Sequence, residues 1–245
     1  MERIGQPRRI LFGLGRNSIL NHRNQKDLAM NGFRDRQEAA RILAKRLERL
    51  RSQHPLVLGI PRGAMPMAEI VAKELGGELG AILVHKIPSP QNEEFALGSI
   101  GLSGKAYWNP DAFRYGFPME VLEEARKREF EKLLARQKEF QISVAKVAGR
   151  IVVIVDDGIA TGATAFAAVN ELKDLGAKEI VLATAVISKE AASRLRPLVD
   201  ELISLLEPKF FGAVGSFFQD FSQVDEDQVK KILRSNSDPS RKEAF

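Results

Sequence analysis

From residue 35 onward the chain alternates between stretches of helical period and short, unbroken apolar runs. RQEAARILAKRLERL (36–50) repeats apolar residues at i, i+3 and i+4 and predicts an amphipathic helix whose arginines lie on a solvated face. PLVLGI (55–60) is a run of the kind found in strands buried on both faces. Helical period returns in AMPMAEIVAKEL (64–75), and Gly76 and Gly77 end that helix. GAILVHK (80–86) reads as a second strand. Residues 119–140 form a charged helix with Glu123–Lys127 and Glu124–Arg128 at i,i+4, and an apolar face that suits its own domain or a second subunit equally. Strand IVVIV (151–155), a polar loop, helix ATAFAAVNELKDL (163–175), strand EIVLATAVI (179–187) and strand ELISLL (201–206) follow. This order predicts an α/β fold: a mainly parallel, twisted sheet with helices on both faces. Ligands of such sheets bind beyond the C-terminal strand ends. The loops PRGA, HKIPSP and DDGIATGAT each follow a strand, so they are expected to converge on one crevice.

Composition narrows the picture. The 245 residues are 44% hydrophobic, enough for one sizeable core, and contain no cysteine. That excludes disulfides, thiolate metal sites and thiol nucleophiles. Nothing approaches an apolar membrane span or a secretory h-region, so no membrane association and a cytoplasmic location are expected. The net charge of +5 is uneven: residues 1–51 hold 13 Lys/Arg against 5 Asp/Glu. Residues 1–32 read as a basic, poorly ordered extension, 33–234 as one domain and 235–245 as a flexible tail. No nucleic-acid-binding motif accompanies the basic arm, so nucleic acid is not an expected partner.

The chemistry concentrates in DDGIATGAT (156–164). Two carboxylates, Asp156 and Asp157, end an apolar strand, and Gly158 and Gly162 relax the turn that follows. Thr161 and Thr164 bring hydroxyls beside the free N–H groups of a helix start, a natural phosphate site. Such a loop takes a phosphate at one end and a polyol at the other, as in a ribose 5-phosphate. GSIGLSGKA (98–106) imitates a nucleotide-binding P-loop but has Ser99 where that pattern needs Gly and Ala106 where it needs Ser or Thr.

The segment from Val152 to Thr164 resembles the signature of type I phosphoribosyltransferases, which bind 5-phosphoribosyl-1-pyrophosphate (PRPP). The resemblance implies that Asp156 and Asp157 hold the ribose hydroxyls, and that Gly158, Ile159, Ala160, Thr161, Gly162, Ala163 and Thr164 cradle the 5′-phosphate. GIPRGAMP (59–66) resembles the family's pyrophosphate loop, implying contacts from Pro61, Arg62 and Gly63 and a cis peptide at Pro61–Arg62. Lys86 ends the strand GAILVHK, so by its strand-end position it is expected to face the same crevice as a further pyrophosphate contact. Residues 87–105 stand where the family has a mobile lid, with Glu93, Glu94 and Lys105 as participants. A small C-terminal hood near 188–224 is implied for the acceptor, with Lys189, Phe210, Phe211 and Asp220 as contacts, although the spacing departs from that of the purine salvage enzymes. FRDRQEAARILA, VHKIPSPQNEEFALGSIG and FFGAVGSFFQDFSQV also resemble stand-alone bacterial phosphoribosyltransferase-like proteins. The implied activity uses Mg²⁺ and transfers phosphoribose to a nucleobase-like nitrogen acceptor, releasing pyrophosphate, with homodimerisation open. A PRPP- or nucleotide-sensing regulator is the alternative reading, and hydrolysis of a phosphate ester a third.

Overall fold

The computed structural model describes residues 31–89, 96–109, 112–113, 116–142 and 146–237. The expected basic arm and C-terminal tail therefore lie almost wholly outside the described residues, as do Glu93 and Glu94.

Five strands form the central parallel sheet: β1 (Leu56–Gly59), β2 (Glu78–Ala81), β6 (Ile151–Ile159), β7 (Glu179–Ile187) and β8 (Glu201–Leu206). Their spatial order is β2-β1-β6-β7-β8. A separate antiparallel sheet holds β3 (Val84–Pro88), β4 (Ala96–Gly101) and β5 (Ala106–Trp108). Among the described residues, the α-helices with defined bounds are α1 (Arg36–Arg46), α2 (Met65–Leu75), α3 (Met119–Phe140), α4 (Ala163–Asp174), α5 (Lys189–Leu195) and α6 (Glu226–Ser237).

The unbroken apolar runs are explained by the period of two along a strand. Val153 and Val155 of β6, with Val181 and Ala183 of β7, pack on one side against Leu43 of α1 and Val71 of α2. Val152, Ile154, Ile180 and Leu182 pack on the other side against Ala168 and Leu172 of α4 and Leu195 of α5. Each strand thus feeds two cores, which requires apolar residues at consecutive positions.

Three expectations change. Strand β6 does not stop at Val155: Asp156 pairs with Thr184, Gly158 with Val186 and Ile159 with Ile187. GAILVHK is not one strand, because the chain leaves the parallel sheet after Ala81 and enters the antiparallel sheet at Val84. Residues 96–108 of the loop-like stretch are strand and turn, so the P-loop imitation occupies β4 and a turn with no helix behind it.

The charged helix docks on its own chain. Leu122 and Ala125 of α3 pack against Ile87, Leu97 and Ile100 of the antiparallel sheet. Leu133 and Phe140 pack with Val229 and Ile232 of α6. The aromatic segment after β8 is tied to the residues before α1: the Phe33 N–H donates to the Phe217 carbonyl, and the Gln219 N–H to the Phe33 carbonyl, both at 2.8 Å. This pairing fixes a cap, here called the hood, beside the C-terminal strand ends.

Candidate active site

The β6–α4 connection carries the acid pair into a helix start. The alternation that puts Val153 and Val155 on the α1/α2 side carries Asp157 to that side as well. There the Arg36 Nε of α1 donates to Asp157 Oδ2 at 2.8 Å, with both side chains nearly enclosed. The expectation that the arginines of this helix are solvated therefore fails at Arg36. Its guanidinium also donates to the Ser222 carbonyl at 2.7 Å and lies 3.7 Å from the centre of the Phe221 ring. Asp156 is held well above the usual carboxylate range, first by burial and then by the negative charge of Asp157.

After Ile159 the loop is braced by both ends of α5. The Ser188 hydroxyl donates to the Ala160 carbonyl at 2.7 Å, and Arg194 Nη2 donates to the Thr161 carbonyl at 2.6 Å. A trans peptide points its N–H opposite to its C=O. The carbonyls committed to α5 therefore turn the Thr161 and Gly162 N–H groups away from it. Gly162 caps α4 with φ of 78°, a left-handed conformation that favours glycine. Gly162 offers no side-chain cap, the Ala163 N–H has a long 3.5 Å contact to the Thr161 hydroxyl, and no acidic residue occupies the first turn. Its start is thus open to an anion. Ala163 and Thr164 form that first turn, with Thr161 and Thr164 exposed.

The β1–α2 loop meets the acid pair directly. The Pro61–Arg62 peptide is cis, as the resemblance implied. A Cβ on Gly63 would stand 2.4 Å from Asp157 Oδ2, so glycine lets the two loops touch. Arg62 is half-exposed and faces Glu226, at the start of α6, at 3.8 Å. The hood closes from the other side: a Cβ on Gly158 would lie 2.2 Å from Val214 Cγ1.

The remaining expected residues are placed as follows. Lys86 is exposed in the middle of β3 opposite Ser99, within the antiparallel sheet and not at the end of a parallel strand. Lys105 pairs with Asp174 of α4 at 2.8 Å. Beside it, Glu171 accepts from the Ser103 N–H and hydroxyl, both at 2.7 Å, and from the Tyr107 hydroxyl at 3.3 Å. The β4–β5 turn is therefore pinned to α4 and is not a free lid. Lys189 is exposed at the first position of α5. Phe211 packs on Phe217 with ring centres 5.5 Å apart, whereas Phe210 is 91% exposed. Asp220 accepts from the Ser222 N–H at 3.0 Å and from its hydroxyl, contacts that hold its carboxyl below the usual range.

The geometry thus unites Asp156, Asp157, the β6–α4 loop, the Arg62–Gly63 turn and the hood. Arg36, Glu226 and Val214 escaped sequence reasoning. The charged FRDR segment was a signal for Arg36, but nothing local names its partner.

Residues 34–220 match the model of the phosphoribosyl transferase domain family. The chain belongs to the phosphoribosyl transferase family. It is 37% identical over 208 residues, 83% of its length, to a Mycobacterium tuberculosis (strain H37Rv) protein named "Putative phosphoribosyl transferase Rv0571c". The same identity holds for the corresponding protein of strain CDC 1551. The chain spans about half (47%) of the length of these curated relatives. Among solved structures, the protein TT1426 from Thermus thermophilus is 39% identical, with a TM-score of 0.77 over 84% of this chain and 100% of that one. The family and the mainly parallel α/β fold agree with the resemblance read from DDGIATGAT. Among the described residues, no helix is long and apolar enough to cross a membrane.

Proposed function

We propose that this phosphoribosyl transferase domain binds PRPP with Mg²⁺ and transfers the phosphoribosyl group to a nitrogen acceptor, with pyrophosphate as the leaving group. The observation that carries the reading is the continuity of one segment. Strand β6 delivers Asp156 and Asp157, and within five residues the chain reaches a glycine-capped helix start whose loop carbonyls are committed to α5. Carboxylates suit ribose hydroxyls, and the helix start suits the 5′-phosphate.

The donor set fits magnesium. Burial and the Asp157 charge disfavour ionisation of Asp156, and a divalent cation nearby relieves both. Among the described residues no cluster of three His, Cys, Asp or Glu could form an all-protein cage. Two carboxylates complemented by substrate oxygens and water are the usual Mg²⁺ arrangement. When bound, the ion supplies charge neutralisation on the pyrophosphate.

The chain's own groups do the rest. Asp156 and Asp157 fix the ribose by its hydroxyls and place negative charge near the anomeric carbon as it becomes oxocarbenium-like. The acceptor nitrogen donates its lone pair to that carbon while the carbon–oxygen bond to pyrophosphate breaks, its electron pair leaving on oxygen. Arg62 binds the departing pyrophosphate bidentately, exchanging Glu226 for it, and Lys86 adds a second cation. The hood, with Phe211, Phe210, Lys189 and Asp220, receives the acceptor.

The test is a screen of Mg²⁺ and PRPP against purines, pyrimidines and other amines, reading pyrophosphate release, with PRPP binding measured in parallel. Release with at least one acceptor is expected. Tight PRPP binding without turnover on any acceptor would replace the transferase with a sensor. An Asp156→Asn/Asp157→Asn variant that bound PRPP as well as the wild type would remove the site.

A further inference from the structure

Arg36 touches both the acid pair and the hood. It reaches Asp157 Oδ2 through Nε, the Ser222 carbonyl through Nη1, and the Phe221 ring through the face of its guanidinium. Arg36 and Asp157 are 11% and 13% exposed, so water competes poorly with this pair. The three contacts join distant parts of the chain: α1, which carries Arg36, the end of β6 and the segment after β8. Phe221 in turn stacks on Phe218, whose ring meets Phe33 ahead of α1, with centres 5.0 and 5.3 Å apart. A Cβ on Gly215 would lie 3.0 Å from the Phe221 ring, so the same ring also supports the turn carrying Val214. Val214 covers Gly158, the residue after Asp157. A closed loop of contacts therefore runs from Asp157 through Arg36, Phe221 and Val214 back to the acid strand.

We propose that Arg36 is a positioning residue that holds the Asp157 carboxylate toward the ribose and, with the same guanidinium, makes the placement of the hood depend on that carboxylate. This rests on the PRPP reading for its consequence in catalysis, while the link between Asp157 and the hood stands on the contacts alone. Two parts of Arg36 are used separately. Its charge offsets Asp157, which otherwise faces both Asp156 and an approaching polyanion. Its planar fork and face make the hood contacts, which a lysine ammonium cannot reproduce.

The experiment compares wild type, Arg36→Lys, Arg36→Met and Asp157→Asn, each checked for folding by circular dichroism. Hydrogen exchange of amides 217–222 is read without ligand, and binding of Mg²⁺·PRPP is read by calorimetry. Arg36→Met is expected to lose about tenfold or more in Mg²⁺·PRPP affinity and to expose amides 217–222, with Arg36→Lys recovering most of the affinity but little of the protection. Asp157→Asn is expected to raise hood exchange although it lies outside the hood. Unchanged hood exchange in Asp157→Asn, or Mg²⁺·PRPP affinity in folded Arg36→Met within threefold of wild type, would overturn the proposal. Should Arg36→Met not fold, Arg36→Lys and Asp157→Asn decide it. Wild type that fails to bind Mg²⁺·PRPP would instead remove the PRPP reading, and the exchange comparison would still decide the coupling.

Discussion

Gly158→Ala probes the contact between acid strand and hood with a single methyl group. The residue sits in β6 with φ outside the left-handed range, so alanine meets no backbone strain there. Its Cβ would stand 2.2 Å from Val214 Cγ1, 2.8 Å from Cγ2 and 3.0 Å from Cβ. Neither partner can yield freely, because Gly158 is held in register opposite Val186 and the Val214 turn rests on Phe221 through Gly215. Overpacking of this kind costs about 1–3 kcal/mol. The lower entropy of the unfolded alanine chain offsets about 0.4–1 kcal/mol of it. A net loss of about 1–2 kcal/mol remains, which for a chain of this size lowers Tm by roughly 2–8 °C. The assay is thermal unfolding of Gly158→Ala, Val214→Ala and the double variant. Removing the Val214 methyls deletes the two shortest contacts, so the double variant should be more stable than the summed single effects by about 1 kcal/mol. Additivity of the two substitutions within about 0.5 kcal/mol would refute the reasoning, as would a Gly158→Ala protein that melts at or above the wild-type temperature.

Three further outcomes are expected. Glu171→Ala removes the buried carboxylate that accepts from the Ser103 N–H and hydroxyl, so it should cost about 1–3 kcal/mol and speed hydrogen exchange across 96–108; unchanged exchange there would show that the turn is not anchored through Glu171. Asp156 has a folded-state pKa raised above its unfolded value, so its favourable contribution is present below the ordinary carboxylate range and is lost as pH rises through the raised value. Asp156→Asn should therefore melt higher than wild type at neutral pH, with the gap closing in acid, while losing Mg²⁺·PRPP binding; a lower Tm at neutral pH contradicts this. Gly63→Ala drives a methyl to 2.4 Å from Asp157 Oδ2 and should weaken Mg²⁺·PRPP binding about tenfold in a folded protein, measured by calorimetry, and wild-type affinity would show that the two loops need not touch.

How much was legible in advance depended on the range of the interaction responsible. The runs LVLG, IVVIV and EIVLATAVI announce strands buried on both faces, because each residue in turn must be apolar when alternate side chains enter two different cores. The two aspartates stand out against that background, and the glycines and threonines behind them are what an anion-binding helix start needs. Fold class, family and the position of the acid pair were therefore readable from local pattern. Element ends were not. Asp156 and Gly158 belong to β6 because Thr184 and Val186 of β7 pair with them, a fact about a neighbouring strand. GAILVHK conceals a change of sheet at Ile82–Leu83, since both residues are buried and the apolar run continues through the switch. Lys86 was misplaced for that reason.

Local composition thus specified the parallel sheet and the carboxylates carried by one of its strands, because those depend on periodicities of two and 3.6 residues and on turn chemistry. Assembly supplied what periodicity cannot contain. Helical period marks Arg36 as solvated, but the fold carries its guanidinium to an aspartate 121 residues away and beneath Phe221 of the hood. A charge so placed is nearly buried only because three distant segments meet around it, and no window of sequence includes all three.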